Sequence, residues 1–295
     1  MRDASGGERT TPDRAEKARS VQRMFDAIAH RYDLLNHLLT LNIDRRWRRR
    51  AVDRLLERAP EARVILDACA GTMDLSAETA GRPGFDGMVV ASDFARAMLE
   101  HGREKTRGLP IRPLCADALR MPHADASFDG AIVGFGVRNF ADLDAGLHEL
   151  ARVLRPGAPL VVLELSVPRG PLRPLYLFYF TRILPWIGRL ISRHRSAYTY
   201  LPDSVREFPP PEALAGKMRG AGLRDVGFER LMGGLTGRLP FGDRSRTTPE
   251  LIRAGAWPAD DHGPVVVTLG GEQDDVIAAR QGIEGMLLID AAQFT

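Results

Sequence analysis

The chain has 295 residues, 44% of them hydrophobic and 27% charged, which fits a soluble globular protein long enough to bury a full core. Its net charge is +3 with a pI near 9.1, too small an excess to argue for nucleic-acid binding by the whole chain. Two cysteines, Cys69 and Cys115, exclude a disulfide scaffold, and no apolar run reaches the roughly 18 residues of a transmembrane helix.

Residues 1–18 are polar and rich in Gly, Arg and Thr, and are expected to form a disordered tail. They hold no apolar core of a signal peptide. Asp3, Glu8, Asp13 and Glu16 interrupt any transit-like basic run, so the expected location is cytoplasmic. Ser20 is a candidate N-cap, followed by Met24, Phe25 and Ile28 at helical spacing. Asp44 is a candidate cap for a second helix with Trp47, Ala51 and Leu55 on one face. Arg45, Arg46, Arg48, Arg49 and Arg50 fall mostly on the other. That run reads as a solvated face or as a surface for anionic lipid, worth about 1 kcal/mol per Arg near a charged leaflet. Residues 19–60 are therefore expected to form a helical lid.

Short apolar, β-branched runs follow at 64–66, 88–90, 111–114, 131–133 and 160–163, separated by helical patterns such as 94–106 and 142–154. Strands alternating with helices imply an α/β fold with a doubly wound, mostly parallel sheet, its strands buried on both faces. Such sheets bind ligands beyond the carboxyl ends of their strands. Asp67, Asp93 and Asp117 each follow a strand-like run, which one shared ligand explains better than three unrelated turns.

Residues 171–191 are densely apolar and aromatic but broken by Pro171, Pro174, Pro185 and Gly188. They read as a helical insertion packed on the core, or as a greasy lid or membrane-contacting face. Residues 211–231 read as a helix and an edge strand. From 240 the chain becomes an atypical C-terminal extension, in which 265–267 and 286–289 are candidate strands without an assigned place.

The phrase at 64–75 is a strand, a turn of small residues and a helix. It lacks the G-x-G-x-x-G pattern of dinucleotide sites. A ligand without phosphate, such as S-adenosylmethionine, fits that turn better than a nicotinamide cofactor. The segment resembles the first motif of class I methyltransferases, Asp-x-Gly-x-Gly-Thr-Gly, with Asp67, Gly71 and Thr72 matching. Asp93 matches the acid that holds the ribose hydroxyls, and Asp117-Ala118 the pair beside the adenine. The resemblance implies S-adenosylmethionine bound by Asp67, Gly71, Thr72, Asp74, Asp93, Asp117 and Ala118. Cys69 and Met73 depart from the motif. A methionine at 73 either fills part of the pocket or folds aside, and it is strained where the turn needs φ > 0.

Finer motifs narrow the resemblance. Tyr32-Asp33-Leu34-Leu35-Asn36 with Trp47, Gly134 to Asn139, Arg152 to Gly157 with Leu163 to Ser166, and Tyr198 to Ser204 resemble the C-methyltransferases of ubiquinone and menaquinone biosynthesis. The likeness covers about residues 20–235 of the chain. It implies a Rossmann-like domain over 61–239 with an apolar insertion at 171–200, whose family ends soon after a pair like Gly233-Gly234. The last strand is thus expected to be altered or drawn from the tail. The implied substrate is a polyprenyl quinol, with peripheral membrane contact on the inner membrane face and a homodimer as further implications. No nucleic acid and no metal is expected.

The implied chemistry is methylation of a quinol ring carbon, made nucleophilic when the ortho hydroxyl loses its proton. Arg138 is the candidate for phenolate stabilisation, with a structural ion pair as the plainer alternative. Asn139 would orient the quinol oxygen or a water, Tyr32 and Asp33 would close over the site, and Tyr198 and Tyr200 would line it. His30 is a weaker candidate base. The residues leave two rivals open: a methyltransferase for another small molecule, and a non-catalytic methyltransferase-like binding subunit.

Overall fold

A computed structural model describes residues 14–40, 42–166, 178, 182, 195–231 and 286–293. The segment 171–191, apart from exposed Phe178 and Arg182, and the candidate strand at 265–267 lie outside them. Two helices lead, α1 (Arg14–Thr40) and α2 (Asp44–Arg58). Then come β1 (Val64–Ala68), α3 (Asp74–Ala80), β2 (Met88–Asp93), α4 (Arg96–Gly102), β3 (Ile111–Cys115) and β4 (Gly130–Gly134). A 3₁₀ turn (Val137–Asn139), α5 (Leu143–Val153), β5 (Pro159–Leu165), α6 (Arg195–Glu207), α7 (Pro211–Gly220), β6 (Leu223–Gly227), β7 (Arg230–Leu231) and β8 (Met286–Gln293) complete the order.

The sheet runs β3-β2-β1-β4-β5-β8-β6, with β7 also paired to β8. The first five strands are parallel, and β8 is antiparallel to both of its neighbours. The order reverses at β1, which lies between β2 and β4; this is the switch point where a ligand crevice opens.

Alternation along the strands builds two cores. Ile65, Ile132, Val161 and Leu163 face α2, where Trp47, Ala51, Val52 and Leu55 form one apolar stripe. Leu66, Ala131, Val133, Leu160 and Val162 face the other way, against Leu147 and Leu150 of α5 and Leu214 and Met218 of α7. Leu55 is fully buried. Its truncation to Ala removes a filled site worth about 2–5 kcal/mol. Strand β3 is an exception to two-sided burial: it is a sheet edge, and most of its residues reach solvent.

Three local expectations need correction. Ser20 lies inside α1 and does not cap it, because the helix already starts at Arg14. Asp44 is the first residue of α2, not its cap; its carboxylate accepts from Thr40 and pairs with Arg48. The helix sought at 94–106 is only α4, since the chain around Asp93 to Ala95 turns across the strand end.

The tail supplies a core element. All seven residues of β5 pair with β8, from Pro159 with Ala292 to Leu165 with Met286. The strand between β5 and β6 is thus drawn from beyond residue 285, and it joins β6, with its register shift, to the rest of the sheet.

Candidate active site

From β1 the chain turns through residues 69–73 into α3. Cys69, Gly71 and Met73 all have positive φ, at 59°, 54° and 63°. These are the three positions at which the motif carries glycine. A left-handed conformation costs an L-residue roughly 1–2 kcal/mol, which is why glycine is favoured there. The turn aims the Gly71 N–H at Asp93, 2.8 Å from its Oδ2.

Met73 takes the strained conformation, and its side chain folds aside. It is fully buried against Ala91 of β2 and Leu99 of α4, and it lines neither part of the neighbouring cleft.

That cleft spans about 690 Å³, counting space open to solvent, at the strand ends between Tyr32, Gly71, Asp93, Asp117, Ala118 and Asn139, among others. It continues past Tyr32 and Gly71 into a recess of about 320 Å³ lined by Asp67, Thr72, Asp74 and Arg48. All seven expected cofactor residues therefore border one trough.

Its electrostatics follow from burial. Burial pushes Asp67 up to about 7, against the hydrogen bond that Ser76 donates at 2.5 Å, with the nearby Asp93 charge adding to the rise. The Asp67 Oδ1 is buried with no hydrogen-bond partner. Burial likewise lifts Asp93 to about 6, although the backbone N–H groups of Ala95 and Gly71 donate to it. Burial works against the Asp33 charge too, but there donors win. Thr72 Oγ1 at 2.5 Å and Lys105 Nζ at 2.9 Å hold it below the usual carboxylate range. Asp33 thereby fastens α1 onto the turn between β1 and α3.

The expected catalytic residues fall in two groups. Tyr32 and Asn139 border the trough itself. Arg138 and Tyr200 border an adjoining open cleft, which shares Phe140 and Ala141 with the trough. The Tyr200 hydroxyl donates to Asn139 Oδ1 at 3.0 Å and links the two. Burial raises the Tyr200 hydroxyl above its ordinary range, so it stays a donor. Arg138 is 7% exposed and donates through Nη1 to Glu164 Oε1 and to the Phe135 carbonyl, each at 2.6 Å. Burial opposes its charge, and the Glu164 carboxylate more than offsets that. Arg138 Nε is buried without a partner. His30 is exposed on α1 and borders none of these spaces, and the Tyr198 side chain lies outside the described residues.

Sequence reasoning placed Arg48 with the solvated or lipid-facing Arg run, where the structure buries it, and passed over Lys105 and Glu164. For Arg48 a signal existed, because 48, 51, 52 and 55 share one helix face. Lys105 and Glu164 carry no local mark, since their partners are 72, 31 and 26 residues away.

The trough fits S-adenosylmethionine. The Asp93 oxygens keep lone pairs for vicinal ribose hydroxyls. Asp117 and Ala118 border the opposite end, where an adenine edge needs acceptors, and the orphaned Asp67 Oδ1 suits an ammonium.

The model of the ubiE/COQ5 methyltransferase family matches residues 13–238. The chain is 50% identical over 225 residues to a demethylmenaquinone methyltransferase of Thermus thermophilus, covering 75% of this chain and 100% of the relative. It is 43% identical over 225 residues to a ubiquinone/menaquinone biosynthesis C-methyltransferase of Geotalea uraniireducens, covering 75% and 94%. Among solved structures, a putative methyltransferase in complex with the Haloferax volcanii Trm112 activator superposes with a TM-score of 0.55 at 19% identity. That match covers 92% of this chain and 98% of the other, and it bears on the fold alone. The chain belongs to the ubiE/COQ5 methyltransferase family.

Proposed function

We propose that this protein transfers a methyl group from S-adenosylmethionine to a ring carbon of a polyprenyl quinol. Among the candidate substrates, demethylmenaquinol is the first to test, since the Thermus thermophilus relative carries that name. The observation that carries the reading is the buried, partnerless Nε of Arg138, which lines the cleft adjoining the trough.

When bound, S-adenosylmethionine supplies an electrophilic methyl group. The chain's own task is to hold it and to make the acceptor carbon nucleophilic. A phenol ionises near 10 in water, so a quinol at neutral pH needs its phenolate stabilised. Arg138 suits this. Glu164 and the Phe135 carbonyl fix its fork, and the Nε–H remains to donate to an oxyanion. Tyr200, held on Asn139, borders the Arg138 cleft and Tyr32 borders the adjoining trough, and both interact electrostatically with Arg138. Their role in this reading is to orient the ring, which in well-aligned cases supplies about 7–11 kcal/mol.

No helix among the described residues is long and apolar enough to cross a membrane. Arg45 and Arg46 stand exposed at the start of α2, and we assign them to contact with anionic lipid around the prenyl tail.

Expression in a bacterium that lacks its quinone C-methyltransferase tests the reading. Return of the methylated quinone is the expected result. A quinone pool that stays unmethylated while the folded protein accumulates would count against it.

A further inference from the structure

The recess at the inner end of the trough holds a charged group that the reading above does not use. It shares Tyr32, Gly71 and Phe135 with the main cleft, so the two adjoin. At its end, Asp67 and Arg48 both contribute lining. Arg48 comes from α2, and its side chain is 8% exposed. Its Nη1 donates to Asp74 Oδ2 at 2.5 Å, and its Nη2 lies 3.1 Å from Asp44 Oδ2.

Two acids fix the orientation of this guanidinium without exhausting it, because the group carries five N–H donors in a rigid fork. Lys105 makes a useful contrast. It also bonds Asp74, and Asp33 as well, yet it borders no part of the trough. Of these two cations only Arg48 lines the recess, where it stands beside its partner Asp74. In the same lining, Asp67 offers an acceptor oxygen that no protein group satisfies. An acceptor and a fixed cation lining one recess match a zwitterion, which carries ammonium and carboxylate on one carbon.

We infer that Arg48 binds the carboxylate of the cofactor's amino-acid end, and so makes the protein selective for the intact α-amino acid. This rests on the trough being the S-adenosylmethionine site. Its neighbours Asp44 and Asp74 act as positioning residues that hold the fork in place.

The test is calorimetric binding of S-adenosylmethionine and of decarboxylated S-adenosylmethionine to the full chain, to Arg48→Met and to Arg48→Lys. The unaltered protein is expected to prefer the carboxylated ligand by about tenfold to a hundredfold, the range of a charge-assisted hydrogen bond. Arg48→Met is expected to bring that ratio close to one, by weakening the carboxylated ligand and sparing the other. Arg48→Lys keeps the charge but loses the fork, and is expected to give an intermediate ratio; it decides the matter if Arg48→Met fails to fold. Equal weakening of both ligands, or a wild-type ratio in Arg48→Lys, would show that Arg48 only braces the helices and overturn the inference. Equal binding of both ligands by the unaltered protein would overturn it while leaving the cofactor reading intact. Binding of neither would remove both.

Discussion

Arg138 and Glu164 form a buried ion pair, Nη1 to Oε1 at 2.6 Å, with the carboxylate fully enclosed and the guanidinium nearly so. The pair joins the 3₁₀ turn after β4 to β5, so it sets where the turn stands at the cleft. It also means that the structural and the catalytic reading of Arg138 are compatible: the fork is anchored at Nη1 while Nε stays without a partner. Removing one member of such a pair leaves an uncompensated buried charge, at about 3–5 kcal/mol. Glu164→Gln is therefore expected to lower the unfolding free energy by roughly 3 kcal/mol, measured by denaturant titration. A change below roughly 1 kcal/mol would show that the pair is not enclosed as described.

Arg138→Lys keeps a charge but loses the planar fork. Turnover is expected to fall about a hundredfold or more, as when a preorganised oxyanion donor is removed. S-adenosylmethionine affinity should stay within about twofold, because Arg138 does not border the cofactor trough. Steady-state kinetics beside calorimetry separate the two. Loss of cofactor affinity without loss of kcat would reverse the assignment.

Asp67 and Asp93 give the protein a pH signature. Burial raises both above the usual carboxylate range, to about 7 and about 6. The folded, ligand-free protein thus holds these protons more tightly than the unfolded chain. Through these two groups its stability falls as pH rises from about 4 to about 7. A ligand ammonium favours the ionised Asp67, so cofactor affinity is expected to rise over the same window, with protons released on binding. Calorimetry at pH 6.5 in buffers of different ionisation enthalpy reads that release directly; proton uptake would contradict the account.

Met73 stands in the left-handed region, yet its side chain packs in the core. Met73→Gly relieves about 1–2 kcal/mol of backbone strain but empties a buried site worth about 2–5 kcal/mol. A net loss of stability is expected, with no gain in cofactor affinity beyond about twofold. Tighter binding by Met73→Gly would mean that the methionine obstructs the pocket after all.

The C-terminal strand lies outside the matched family region, which ends at residue 238, yet β8 pairs along all of β5. Deleting residues 286–295 bares the β5 edge and detaches β6. The melting temperature is expected to fall by roughly 10 °C or more, followed by circular dichroism. An unchanged melt would show that β8 is dispensable.

The parallel half of the sheet was legible because β1, β2, β4 and β5 are short apolar, β-branched runs ending near a polar or glycine turn; edge strand β3 carries Arg112 and Pro113 and follows the pattern only loosely. The residues expected to hold the cofactor converge on one trough for the same reason, since strand ends at a switch point come together there. The sequence pattern did not disclose the partner of residues 286–289, because an apolar run carries no label for its neighbour. It also left the Met73 side chain undecided, since its direction depends on the space between β2 and α4. The Arg run at 45–50 divides in three dimensions: Arg48 turns inward to Asp44 and Asp74, Arg50 pairs with Glu229, and Arg45 and Arg46 stay exposed. Asp33 found Thr72 and Lys105 across 39 and 72 residues, contacts that only the packing of α1 over the turn creates.

The central claim, methyl transfer to a quinol ring carbon, is tested most directly by locating the methyl group. The purified protein is given reduced demethylmenaquinol and S-adenosylmethionine with a deuterated methyl group, and the product is read by mass spectrometry and NMR. The account expects an intact labelled methyl bonded to a ring carbon. A label on oxygen, or no transfer by a protein that binds the cofactor, would contradict it.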